Sequence, residues 1–135
     1  MTAWCLIRRL YTFTPAEANG EQVFIDKKCG RCHTSQGVNP VGASFVDNGL
    51  GSITMDPLDN GKFRNPTLRN VEITAPYMHN GVFNTLEEVV EFYNSRLASN
   101  AEVTANVDND GIGNLMLTQG QMDDLVAFLK TLTDQ

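Results

Sequence analysis

Apolar residues recur at helical spacing in three stretches of the chain, and no stretch alternates convincingly as a strand would. The first stretch follows Thr14-Pro15-Ala16-Glu17. Thr14 is suited to the N-cap, Pro15 to the first helical position and Glu17 to the third-position acid of a capping box. This predicts a helix to about Lys28, with Val23 and Phe24 facing inward and a break at Cys29-Gly30. The second stretch is residues 85–97. Thr85 caps it, Glu87 and Glu88 lie where the helix dipole favours acids, and Leu86, Val89, Val90 and Tyr93 form one stripe. The third runs from about Thr118 to Leu132, with Met122, Leu125, Val126 and Leu129 on one face and Phe128 beside it. Residues 34–70 are loop-like, rich in Gly, Asn, Asp and Pro, with turn signals such as Asp47-Asn48-Gly49 and Asp59-Asn60-Gly61. Residues 1–13, holding Trp4 and Cys5, are expected to be a tail or fragment remnant, and 14–135 a single all-α domain.

The 41% apolar and 19% charged fractions describe a globular chain rather than a disordered one. A net charge of −6 argues against nucleic acid, which needs clustered Lys and Arg, and favours a basic docking partner or simple solubility. No apolar run approaches the roughly 20 residues of a membrane span, so none is expected. The first residues lack the apolar core of a secretory signal.

Chemistry enters at Cys29-Gly30-Arg31-Cys32-His33, a Cys-x-x-Cys-His motif. Two thiols at this spacing reach the two vinyl groups of one haem as thioethers, and the next residue, histidine, is then held beneath the iron as proximal ligand. A zinc site would need two more ligands, yet there is no second cysteine pair and the only other histidine is His79. A thioredoxin-like pair would want a βαβ setting. One covalent haem c also explains how so short a chain, with a thin core of its own and a long loop at 34–70, makes a compact domain. Such attachment normally takes place outside the bacterial cytoplasm, so a periplasmic or otherwise exported protein is expected, its leader not visible in this chain.

Beyond this motif come Lys62-Phe63-Arg64-Asn65-Pro66-Thr67-Leu68-Arg69-Asn70-Val71, Thr74-Ala75-Pro76-Tyr77-Met78-His79-Asn80-Gly81, Thr85-Leu86-Glu87-Glu88-Val89-Val90 and Leu125-Val126-Ala127-Phe128-Leu129-Lys130-Thr131-Leu132. In this order, from about residue 16 to the end, they resemble the C-terminal haem domain of the bacterial di-haem cytochrome c peroxidase family, including its MauG-like branch. The resemblance implies a cytochrome c fold of three main helices, with the helix of Gly20 and Phe24 crossing the last helix near Phe128. It implies an electron-transfer haem, whose peroxide-reacting partner sits in a separate N-terminal domain. With one haem motif in these residues, peroxidase activity does not carry over to the chain as it stands. The resemblance also puts His79 near the haem and the face between domains. Backbone oxygens at Thr74 and Pro76 would contribute to a calcium site that the other domain completes.

Candidates for the sixth iron ligand are Met55, Met78, Met116, His79 and Tyr93, although methionines are usually core filler and a tyrosine on an apolar stripe is usually core. Tyr93 is favoured, because the family places its distal ligand there, methionine in ordinary peroxidases and tyrosine in the MauG-like branch. Met78 is the runner-up. Arg64 and Arg69 are candidates to pair with haem propionates. Asn106, Asp108, Asp110 and Gly111 match the start of a calcium-binding EF-hand loop, but Leu117 stands where its bidentate glutamate belongs. Two functions are therefore in view. One is electron transfer through a single haem to a redox partner or a second haem domain. The other is a peroxide-dependent oxidation of the peroxidase or MauG-like kind. A folded remnant of a longer protein is a third expectation.

Overall fold

The computed structural model describes residues 12–33, 38–40, 49–60, 62–95 and 113–134. Trp4, Cys5 and the acidic loop at 106–111 lie outside them. The order is α1 (Pro15–Asp26), α2 (Gly30–His33), β1 (Val38–Pro40), α3 (Gly51–Thr54), a 3₁₀ turn (Pro57–Asp59), β2 (Lys62–Arg64), a second 3₁₀ turn (Val71–Ile73), α4 (Leu86–Ser95) and α5 (Gln119–Lys130). The domain is all-α in its core, as expected. The ribbon of β1 and β2, antiparallel with Val38 opposite Arg64 and Pro40 opposite Lys62, is an addition that three-residue strands are too short to signal by alternation.

Reciprocal caps start the three main helices. Thr14 Oγ1 accepts from Glu17 N while Glu17 Oε2 accepts from Thr14 N at 2.7 Å. Thr118 and Gln121 repeat the arrangement on α5. On α4, Thr85 Oγ1 accepts from Glu88 N, and Glu88 Oε2 takes the N–H groups of Asn84 and Thr85. Each box satisfies backbone donors that the first turn leaves without partners.

The helices then meet through their apolar faces. Val23 and Phe24 of α1, Leu86 and Val90 of α4, and Leu125, Val126, Phe128 and Leu129 of α5 form one buried cluster with Leu115, Leu117 and Leu132. At its centre α1 crosses α5. Phe24 and Phe128 pack at 5.5 Å between ring centroids, and Phe13 meets Phe128 edge-on at 6.0 Å. Gly20 makes this approach feasible: a Cβ there would sit 1.9 Å from the Asp124 carbonyl oxygen and 2.7 Å from Phe128 Cβ. A smaller cluster of Phe83 and Phe92 lies beside the first, and Tyr77 and Tyr93 pack against both.

Polar ties hold the segments between helices. Asn94 receives the N–H of Leu117 at 2.7 Å and donates to the Leu117 carbonyl, while Gly113 N donates to the Tyr93 carbonyl at 2.6 Å. Lys27 Nζ donates to the Leu115 carbonyl. Asn70, in the left-handed region, donates its N–H to the Leu132 carbonyl, and its amide side chain pairs with Asp134. Arg69 Nε also donates to Asp134, at 2.8 Å. Among the described residues no helix is long and apolar enough to cross a membrane.

Replacing Gly20 by alanine forces α1 and α5 apart and should cost about 1–3 kcal/mol, the range for overpacking. Gly120→Ala, where a Cβ meets nothing within 4 Å, should instead stabilise by roughly 0.4–1 kcal/mol; urea denaturation of both variants checks the pair. The Asp134 carboxyl is held below the ordinary value of 3.8, first by Arg69 and then by Asn70. A depressed folded-state value means that this tie contributes at neutral pH and is lost as the pH falls below that ordinary value. Asp134→Asn should therefore flatten the acid limb of a stability–pH curve while leaving its neutral shape intact.

Candidate haem-binding site

The Cys-x-x-Cys-His motif is delivered by the end of α1. Expected to reach Lys28, the helix stops at Asp26, and Lys28 enters the left-handed region at φ 57°. Lys28 N then donates to the Ile25 carbonyl and Cys29 N to the Phe24 carbonyl, which is the complete Schellman termination. A β-carbon makes this conformation costly, so glycine is the usual occupant and Lys28 is held there by its surroundings. Directly after it the chain turns helical again. Cys32 N and His33 N both donate to the Cys29 carbonyl at 3.2 Å. Cys29, Cys32 and His33 are thus three and four residues apart on a helical turn, the spacings that share one face.

His33 is oriented from across the fold. Its Nδ1 lies 3.2 Å from the Pro66 carbonyl oxygen, which can only accept, so Nδ1 carries the proton and Nε2 keeps its lone pair for a metal. Burial lowers the His33 pKa and favours the neutral ring, although the Pro66 bond works in the opposite sense. Tyr93, on α4, faces the imidazole at 6.5 Å between ring centroids and 65° between planes. Burial pushes the Tyr93 phenol up to about 12, with the nearby Cys29 and Cys32 thiols adding to the shift. Burial likewise raises Cys29 to about 11. Both cysteines are half-buried and outside any disulfide. Two thiols, an imidazole with a free nitrogen and a phenol on an opposing helix therefore converge at one place. This donor set fits a c-type haem, with the thiols for the vinyl carbons and nitrogen and oxygen for the iron. Next to Pro66 in the chain, Asn65 has its Nδ2 buried with no protein partner, an unused donor one residue from the His33 support.

The remaining candidates fall around this centre. Met78, at φ 68°, packs half-buried against the Phe83–Phe92 cluster that also takes Tyr93. Met55 and Met116 are also left-handed, and more than four-fifths exposed. His79 is exposed and stacks on Phe63 of β2 at 3.7 Å. Arg64 is exposed at the end of β2. Arg69 is exposed and donates its Nε to Asp134, which Asn70 and the turn after α5 bring alongside. Thr74 and Pro76 lie exposed after the second 3₁₀ turn, and among the described residues no three His, Cys, Asp or Glu side chains gather to hold a metal ion. Two features that sequence reasoning missed belong to the site: the Pro66 carbonyl and the left-handed Lys28.

Residues 17–133 match the family model described as cytochrome c. The chain is 33% identical over 168 aligned positions to the methylamine utilization protein MauG of Paracoccus denitrificans, covering 91% of this chain and 43% of that protein. Among solved structures it superposes with a TM-score of 0.83 on a MauG-like protein associated with microbial copper homeostasis, at 30% identity, covering 96% of this chain and 47% of that one. A second, the di-haem peroxidase BthA from Burkholderia thailandensis, gives a TM-score of 0.75 at 28% identity and covers 94% and 44%. The chain spans less than half the length of these relatives.

Lys28→Gly should keep or raise stability and leave haem content unchanged. Lys28→Val, which puts a branched β-carbon into the left-handed region, should destabilise by about 1–2 kcal/mol and lower the haem bound per chain. Thermal unfolding and the Soret absorbance per protein measure both effects.

Proposed function

Because this chain belongs to the cytochrome c family, among the di-haem cytochrome c peroxidases and MauG-like proteins, whose cofactor is covalent haem c, we propose that it transfers electrons through one haem that Cys29, Cys32 and His33 would hold, with Tyr93 as the further protein ligand to its iron. The observation that carries this reading is the opposition of His33 and Tyr93, one ring fixed by the Pro66 carbonyl and the other by α4. Bound haem supplies one-electron chemistry at its iron. The protein's part is to hold that chemistry in place. Cys29 and Cys32 would anchor the macrocycle, Pro66 keeps Nε2 of His33 unprotonated and aimed, and Tyr93 would hold the iron as a phenolate. Burial alone disfavours the phenolate, so a positive iron beside it would be needed to make it stable.

Tyr93 also favours a second reading. A phenolate stabilises oxidised iron and lowers its potential, which suits a domain that serves a peroxide-dependent oxidation beside a second haem domain. Relatives more than twice this length, one titled a di-haem peroxidase, support such a partner. On either reading the domain works in an exported compartment, where c-type haem is attached.

Optical, resonance Raman and near-infrared spectra of the purified ferric protein test the ligand assignment. Tyrosinate bands are expected, and a methionine–iron charge-transfer band in the parent would overturn it. Tyr93→Met should introduce that band and raise the potential, and His33→Ala should abolish the low-spin spectrum. Peroxide mixed with the ferric protein and a reduced donor separates the two functions, since turnover belongs only to the second.

A further inference from the structure

We propose that the Asn65 amide is a positioning residue that donates a hydrogen bond to a propionate carboxylate of the haem held by Cys29, Cys32 and His33. The proposal rests on that assignment of the site. Among the described residues Asn65 Nδ2 is the one buried side-chain nitrogen or oxygen without a partner, and an enclosed donor left unpaired is costly. Asn65 lies between β2 and Pro66, whose carbonyl orients His33. A residue before proline is confined to extended backbone, so the amide is anchored one residue from the proximal ligand's support.

The chemistry of the cofactor selects the acceptor. Porphyrin nitrogens are occupied by iron and thioether sulfur accepts weakly, which leaves the two propionates. Three of the fold's cations have protein acceptors. Arg69 Nε donates to Asp134, Lys62 to Asp59 at 2.9 Å and Lys27 to the Leu115 carbonyl. In a chain of net charge −6 a propionate needs donors: Arg64, exposed beside Asn65 in sequence, is the charged candidate, and Asn65 presents a buried one that nothing else uses.

Asn65→Leu, nearly the same shape without the donor, tests this in the haem-loaded protein. Losing the bond leaves the carboxylate's negative field less offset, which favours ferric iron. The reduction potential should fall, and the propionate bending mode in the resonance Raman spectrum should shift. Asn65→Asp should lower the potential further by setting two carboxylates together. A leucine variant with parental haem content, potential and bending mode overturns the proposal. If the leucine variant loads no haem, the aspartate variant decides alone: an unchanged potential and bending mode overturn the proposal, and a fall with a shifted mode upholds it. A haemochrome assay on the parent separates the two levels, because failure to bind haem would refute the site itself.

Discussion

The backbone of α1 at Gly20 lies against the carbonyl of Asp124 so closely that no β-carbon fits between the two helices. That contact fixes the crossing of α1 and α5, and the tilted packing of Phe24 on Phe128 follows from it. Phe24 also supplies the carbonyl that receives the Cys29 N–H at the end of α1. The residue buried in the helix crossing is thus the residue that closes the turn before the haem motif. The placement of two cysteines and a histidine is inherited from the packing of the core, and rigid core elements position ligands more accurately than loops do.

The far side of the site has a different origin. Tyr93 borders both apolar clusters, facing His33 on one side and meeting Phe92 edge-on at 5.9 Å on the other. Its helix is fixed at its start by the Glu88 carboxylate over two backbone N–H groups, and near its end by Asn94. The two axial candidates therefore approach from independently anchored elements. Their separation is set by the fold as a whole and not by either helix.

How much of this could be read beforehand depends on the range of the interaction. Thr14, Pro15 and Glu17 announced α1 because a capping box is local, and the stripe of Leu86, Val90 and Tyr93 announced α4 because helical period is local. The motif residues and Tyr93 were equally visible as chemistry. The Pro66 carbonyl was not, since a backbone oxygen has no identity in a sequence and comes to His33 from 33 residues away. Lys28 concealed the end of α1, because a left-handed position is normally signalled by glycine. The tie between Arg69 and Asp134 was hidden for a related reason: the two are distant in sequence and become neighbours only when α5 returns beside Asn70.

Asn94 holds both backbone groups of Leu117, while the neighbouring Tyr93 carbonyl takes the N–H of Gly113. The chain therefore leaves α4 and comes back to it at the same spot. Ser95 and Gly113 are thus held close together, and lengthening a connection between fixed ends adds cost only slowly. This seam is a natural place for the protein to accept new sequence, such as a recognition loop or an inserted module, without disturbing the iron's surroundings. Diversity in what such a domain meets can then accumulate a few residues beyond Tyr93, while the residue itself stays put.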